Sequence, residues 1–454
     1  MTITITSLGG AGTVTGSKHL LDFGSGRLLI DCGLFQGTKA LRELNWQALP
    51  IDPKTIDGVV LTHAHLDHTG YLPRLVKNGF RGPIYATPST IDVAKLILLD
   101  SAFLQEKDAE LANRYGYSRH KPALPLYGKH DAQQTFELFQ PVDFHQPKAI
   151  ARGAELLFRR AGHILGAATA EIRVGERVIL FSGDVGRFND PVLPDPEPVP
   201  AADCLVVEST YGNRTHDVVD AAAALGAVVE RTVQRGGTVV IPAFAVGRAQ
   251  SLLYHLWSLR EAGRLGLVPI FVDSPMAINA TDLLCRHQDD HKLTGDACAA
   301  TCNIATYVRD AESSKKLSRN GMPKVIISAS GMATGGRVLH HIKAFGGDPA
   351  NTLLFSGFQA VGTRGRALVE GEREVRIHGE SIRIRAEVAD LPALSAHADE
   401  NELLRWMGGL RQPPSRTIIV HGEPDAAAAL HSRVERELGW PCVIPEQGQR
   451  ITVE

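Results

Sequence analysis

Thr62-His63-Ala64-His65-Leu66-Asp67-His68 follows directly on the apolar run 58–61 and sets three imidazoles and one carboxylate within six residues. Neutral imidazole and ionised carboxylate are the donors a hydrolytic zinc prefers, and a tight turn after a buried strand can aim several of them at one point. Four such side chains at this spacing read as half of a two-metal site, whereas a lone histidine there would read as an ordinary core or surface residue. A second ion ~3.5–4 Å from the first would let a shared water attack phosphorus or carbon while both ions absorb the developing charge.

Around this motif, the first two hundred residues are dominated by strand patterns, over 2–8, 19–23, 27–31, 59–62, 155–160, 168–174, 177–181 and 205–208. Helical patterns are fewer, over 72–77, 91–110 and 132–139. The turns Ala161-Gly162-His163 and Ser182-Gly183-Asp184 each put a ligand-type side chain at the end of an apolar strand, and Ile418-Ile419-Val420-His421 does the same near the C-terminus. That arrangement suits a sandwich with its site along one edge. From about Ser209, strand and helix alternate: 238–242 then 248–262, 269–272 then 277–287, 324–328 then 337–345, 352–355 then 364–370. Such alternation predicts a parallel sheet covered by helices. After Glu372 strands return over 374–378 and 381–388, followed by helix, strand and helix over 400–407, 417–420 and 426–438. The simplest account is an insertion: residues 1–208 begin one domain, 209–372 form an inserted α/β lobe, and 373–454 complete the first domain, with a ligand cleft between lobes.

Composition narrows the function classes. At 454 residues and 44% hydrophobic, the chain has the apolar side chains for two cores. A formal net charge of -2 excludes a globally basic nucleic-acid binder, so a polyanion would have to be held by a local patch of Lys and Arg. The six cysteines are scattered without C-x-x-C pairs, which fits a reducing cytoplasm. No stretch reaches the ~18 apolar residues of a membrane span, and the start lacks the basic region of a secretory signal. A membrane partner is therefore not expected.

The ligand-type residues at strand ends make the chain resemble the metallo-β-lactamase fold, an αββα sandwich whose edge loops hold two zinc ions. Glu208-Ser209-Thr210-Tyr211-Gly212, Ser395-Ala396-His397-Ala398-Asp399 and Val420-His421-Gly422-Glu423 look like the three additional motifs of the β-CASP nucleases, and the inserted lobe lies where that family has its β-CASP domain. The pattern extends over essentially the whole chain and is most similar to the bacterial and archaeal RNA-processing members related to the endonuclease subunit of pre-mRNA 3′-end cleavage. By that resemblance, His63, His65 and His163 would hold one zinc, Asp67, His68 and His421 the other, and Asp184 would bridge them. Asp31 matches the family's first motif and would orient a ligand imidazole through its other ring nitrogen; turn capping is its alternative reading. His397 would be the general acid for the leaving 3′ oxygen, with Glu208 holding its tautomer. The alternative is that Glu208 caps a strand and His397 caps the following helix.

Three strand-to-helix turns of the inserted lobe carry glycine followed by arginine, placing Arg248, Arg337, Arg364 and Arg366 near helix starts. A cation there opposes the helix dipole, so local stability does not explain them. Glycine lets backbone N–H groups approach a phosphate, and arginine forks it. The loop 328–337, with Ser330, Gly331, Thr334, Gly335, Gly336 and Arg337, is thus expected to grip single-stranded RNA together with the other arginines. On that expectation Arg337→Ala would weaken RNA binding and flatten its salt dependence. Pairing with Asp or Glu is the other use of these arginines. Phe244, Phe358 and Tyr211 are candidates for base stacking or for loop packing. Cys298 and Cys302 stand at helical spacing without an evident third donor.

The reading implied is a cytoplasmic two-zinc ribonuclease leaving 5′-phosphate and 3′-hydroxyl ends. Its alternatives are a DNA-processing relative, a branch that usually has Val where this chain has His421, and a non-catalytic RNA-binding subunit. Neither the long C-terminal extension of ribonuclease J relatives nor the N-terminal RNA-binding extension of many archaeal relatives is found, so substrate positioning is expected to rest on this chain or its homodimer.

Overall fold

Strand Arg27–Ile30 carries the apolar run Leu28-Leu29-Ile30, and both faces of that run are covered: Leu28 and Ile30 enter a core shared with the opposite sheet, while Leu29 is fully buried on the other side. In the computed structural model, which describes residues 2–116, 118–216 and 220–453, this strand belongs to the first of two units. That unit comprises Met1–Asp190, Pro194–Thr215 and His397–Glu454.

Two seven-stranded sheets face each other in the first unit. One contains Ile3–Gly9, Lys18–Asp22, Arg27–Ile30, Gly58–Val60 and Ile84–Ala86; the other contains Ala154–Arg160, Ala168–Val174, Arg177–Phe181, Cys204–Glu208 and Arg416–Val420. Ile5, Leu21 and Ile30 from the first pack with Phe158, Ile172 and Ile179 from the second. On the outer face of the second sheet, Leu205, Val207 and Ile419 are covered by Leu403 and Met407 of helix Glu400–Met407 and Leu430 of helix Pro424–Arg433. The result is the sandwich that the strand pattern predicts, in the αββα form that the resemblance implies. Helix Pro88–Tyr115 is longer than the apolar periodicity suggested, because Thr87 caps Thr90 N, Pro88 suits the first turn, and only Gly116, in the left-handed region, ends it. Phe139, read from sequence as helical, instead opens the short strand Phe139–Pro141 beside Ile84–Ala86.

The second unit, Pro191–Leu193 with His216–Ala396, holds a six-stranded sheet whose pairings are all parallel. Its strands Thr238–Pro242, Lys324–Ser328 and Thr352–Phe355 are neighbours, so the three glycine-arginine turns emerge at one edge. The boundary expected at residue 372 moves. Strand Glu387–Asp390 pairs with Thr352–Phe355, and the chain rejoins the first unit only at His397. A strand pattern in sequence does not say which sheet it joins, which is why the segment after Glu372 read as part of the sandwich. Among the described residues no helix is long and apolar enough to cross a membrane.

Candidate metal centre

Parallel pairing carries the ligand-type residues to one edge of the first unit. Ile30 lies opposite Val60, so Asp31 and the residues after Val60 leave their sheet side by side. In the facing sheet Phe181 lies opposite Val206 and Glu208 opposite Val420, which sets Glu208 at the end of its strand and Asp184 and His421 just beyond the ends of the strands on either side. The turn bearing Asp67 is pressed on Gly33, where a Cβ would stand 1.5 Å from the Asp67 carbonyl oxygen. Cys32 N donates to His68 O at 2.7 Å and Ser17 N to Asp67 O at 2.9 Å, which fixes that turn.

Asp184 is central and 2% exposed. Its Oδ2 lies 3.5 Å from His63 Nε2 and 3.5 Å from His163 Nε2, and both of those nitrogens lie within 3.2 Å of His65 Nδ1. Its Oδ1 lies 3.3 Å from His68 Nε2 and 3.5 Å from His421 Nε2, the latter 3.9 Å from Asp67 Oδ2. The donor atoms thus sort into two groups, His63, His65, His163 and Asp184, and Asp67, His68 and His421, each within 4.8 Å internally. Asp184 Oδ1 and His68 Nε2 are buried but make no directed hydrogen bond. Leaving such groups unsatisfied costs about 1–3 kcal/mol each, which a cation between them would relieve. Donor chemistry and unmet polar atoms both fit divalent metal.

The electrostatics agree with that fit. Burial drives the His421 imidazole down to about 3 and His63 in the same direction, leaving neutral rings with lone pairs for ligation. Burial raises Asp67 to about 6. Burial also opposes charge on His68, but the Asp184 and Asp31 carboxylates outweigh it and hold its pKa well above the usual value. Asp184 Oδ1 faces Nε2, the nitrogen left without a hydrogen bond, and a cation would stand on that side of the ring. Asp31 accepts from Thr62 N at 2.8 Å and Thr62 Oγ1 at 2.9 Å, and lies 2.7 Å from His68 Nδ1. It therefore does more than cap a turn: it directs the other nitrogen of His68 toward Asp184.

A third group, Asp184, Glu208 and His397, adjoins these. His397 Nδ1 is 3.3 Å from each Glu208 oxygen and 3.9 Å from Asp184 Oδ2. Glu208 is fixed by Val185 N at 2.7 Å and Thr210 N at 3.2 Å, while Ser182 Oγ accepts from its backbone N–H. Burial disfavours a charged His397, but Glu208 and then Asp184 outweigh it and raise its pKa. Helix Glu400–Met407 is capped by Asp399, with Glu402 completing the capping box, so the capping alternative for His397 does not describe this turn. Thr62 and Ser182 escaped the sequence reading, although each adjoins a motif residue. His19, buried between Ser7 Oγ and Ser17 Oγ, lines the same cavity as Asp31, His68, Asp184 and His421, and no local sequence pattern marks it.

In the second unit the structure corrects the arginine reading. Arg337 Nη1 donates to Asp273 Oδ1 at 2.6 Å and to Val308 O at 3.0 Å, and Nη2 donates to Arg309 O at 2.8 Å. Arg364 donates to Arg376 O, Ala333 O and Thr334 O, and Arg366 pairs with Glu370; Arg248 is buried. For Arg337 and Arg364 the acceptors come from distant strands and turns, invisible to local pattern, whereas the partner of Arg366 lies four residues along the chain. The loop itself is well defined. Ser330 Oγ lies 3.0 Å from Thr334 Oγ1, Gly331 sits against Phe244, Gly335 has open space at its Cβ position, and Gly336 has a positive φ with Ala329 O 2.7 Å from where a Cβ would be. Tyr211 is buried with its ring 6.1 Å from that of His397, and Phe244 and Phe358 are half-buried.

Asp273 is fully buried, and burial works against its charge. Bonds from His341, Ser314 and Arg337 outweigh that cost and hold its pKa below the usual carboxylate range. Its stabilising contribution is therefore complete above the unfolded carboxyl value of ~3.9 and is lost as pH falls through the lower folded value. Arg337→Ala is expected to cost about 2–3 kcal/mol in urea unfolding at neutral pH. Its RNA binding should keep the wild-type salt slope; a flattened slope with unchanged stability would restore the phosphate role.

Comparison with known proteins finds three family models along the chain, the third crossing the boundary at His397. The Metallo-beta-lactamase superfamily matches residues 19–215, the Beta-Casp domain residues 249–368, and the Zn-dependent metallo-hydrolase RNA specificity domain residues 381–445. Ribonuclease TTHA0252 of Thermus thermophilus is 37% identical over 434 residues, covering 94% of each chain. Transcription termination factor FttA of Methanosarcina mazei is 33% identical over 455 residues, 96% of this chain and 69% of that protein. A crystal structure of a protein of unknown function from Enterococcus faecalis covers 100% of both chains with a TM-score of 0.56 at 13% identity, a likeness of fold.

Proposed function

The chain belongs to the β-CASP ribonuclease family of metal-dependent hydrolases with the metallo-β-lactamase fold, and on that premise we propose that it is a two-zinc enzyme cutting single-stranded RNA. The products would be 5′-phosphate and 3′-hydroxyl ends, and the role RNA processing or decay in the cytoplasm, as a single chain or a homodimer. One observation carries the reading: the two oxygens of Asp184 face two separate groups of ligand-type side chains, with the Glu208–His397 pair beside them.

His63, His65 and His163 would hold one zinc, Asp67, His68 and His421 the other, and Asp184 would serve both. Bound there, the ions would supply a water with its pKa lowered toward neutrality and would offset charge building on the phosphoryl oxygens. Asp31 holds His68 by Nδ1 so that Nε2 faces the centre. Glu208 engages His397 at Nδ1, which keeps a proton on that nitrogen and presents Nε2–H to the leaving 3′ oxygen. Ser330, Thr334 and the backbone N–H groups of Gly331, Gly335 and Gly336 are the proposed contacts to the RNA backbone, with Arg337 and Arg364 positioning their loop.

The test is digestion of end-labelled single-stranded RNA and DNA by purified protein, before and after chelation and with zinc restored. RNA cleavage that chelation abolishes and zinc restores, with much slower DNA cleavage, is expected. Equal cutting of DNA, or cutting indifferent to chelator, would overturn the assignment.

A further inference from the structure

Three cysteines that the hydrolytic site does not use converge in the second unit. Cys285 is one residue from the end of helix Pro275–Arg286, and Cys298 and Cys302 lie on helix Gly295–Asn303, which packs against it. At a spacing of four residues, the two sulfurs of the latter helix share one face. All three Sγ atoms lie within 4.8 Å of one another, and those of Cys285 and Cys302 are 2.9 Å apart. Cys298 is buried; Cys285 and Cys302 are half-buried. Spacing in sequence offers only the Cys298–Cys302 pair, and folding adds the missing donor.

We propose that Cys285, Cys298 and Cys302 form a thiolate site for a soft metal ion of the zinc or copper(I) class, separate from the histidine and carboxylate centre. Thiolate sulfur selects such ions over hard cations. A Zn–S bond of ~2.3 Å places the sulfurs of a tetrahedral site on the order of 3.8 Å apart, within the observed spread once Cys285 and Cys302 separate slightly. A disulfide would employ two of the sulfurs and leave Cys298 without a part in the cluster; an ion employs all three, and that convergence favours the ion. Binding exchanges three thiol protons, released to solvent, for three metal–sulfur bonds, with water completing the coordination on the half-exposed side. Its structural effect is to tie the end of one helix to the face of the next.

The full-length reduced protein, titrated with Cd²⁺, provides the test, because only sulfur ligands give sulfur-to-cadmium charge-transfer absorption and the hydrolytic centre has none. Wild type is expected to show a saturating band, and Cys285→Ser and Cys302→Ser to lose it while retaining their circular dichroism and ribonuclease activity. Independently of any variant, bound Cd²⁺ should protect Cys285, Cys298 and Cys302 from alkylation, read by peptide mass spectrometry, while leaving the reactivity of the other cysteines unchanged. Absence of the band, its survival in the doubly substituted protein, or peptide mapping that finds a Cys285–Cys302 disulfide whose reduced form takes up no thiolate-bound cadmium would each overturn the proposal.

Discussion

Asp184→Asn is expected to lower kcat on labelled RNA by on the order of 10⁴-fold or more, equivalent to about 5–6 kcal/mol of lost transition-state stabilisation. Elemental analysis should show less than the full metal content. The carboxylate offers one oxygen to His63 and His163 and the other to His68 and His421, at 3.3–3.5 Å. Asparagine keeps the shape but has a single carbonyl oxygen. Whichever ligand group that oxygen serves, an amide N–H would point at the other, presenting a donor where, on the proposed reading, a cation would sit, and removing the negative charge that would hold two cations close together. The loss should therefore affect both ions rather than one. Wild-type turnover with full zinc occupancy in the variant would show that the two ligand groups do not depend on a shared carboxylate, and the two-metal reading would fail.

How much of this was legible in the sequence depends on how local each signal is. His63, His65, Asp67 and His68 lie within one turn and announce themselves. His163, Asp184 and His421 are single residues, yet each ends an apolar strand, and the edge of a sandwich is where such ends gather. The parallel sheet of the second unit was readable from strand-helix alternation because burial on both faces leaves a nearly continuous apolar run in each strand. What escaped was decided by distant partners. The fate of Arg337 depends on Asp273, 64 residues away, and glycine-arginine turns look alike whether the arginine turns outward or inward. The boundary after Glu372 depends on which sheet edge a strand joins, which composition does not encode. The third member of the cysteine cluster sits on another helix for the same reason. Hydrogen-bond supports such as Thr62 and Ser182 fall between these cases: they and their partners Asp31 and Glu208 lie in or beside recognisable motifs, but the pairings span 31 and 26 residues and no local pattern shows them.

His397→Ala is expected to lower kcat by about 10²–10⁴-fold with metal content unchanged, the range that proton donation to a poor leaving group supplies. The geometry separates this residue from the ligands: its Nδ1 engages Glu208 at 3.3 Å and stands 3.9 Å from Asp184, so removing the ring leaves both ligand groups whole. A loss of rate alone would not distinguish a proton donor from a side chain that shapes the cleft. The leaving group does. RNA carrying sulfur in place of the 3′ bridging oxygen at one position departs as a thiolate and needs no proton, so the variant should cut that linkage within a few-fold of wild type. Glu208→Gln should show a smaller version of the same pattern, because the amide can still hold Nδ1 but no longer favours positive charge on the ring. If the variant were equally slow on both linkages, His397 would belong to substrate positioning, and the proton for the 3′ oxygen would have to come from elsewhere in the centre.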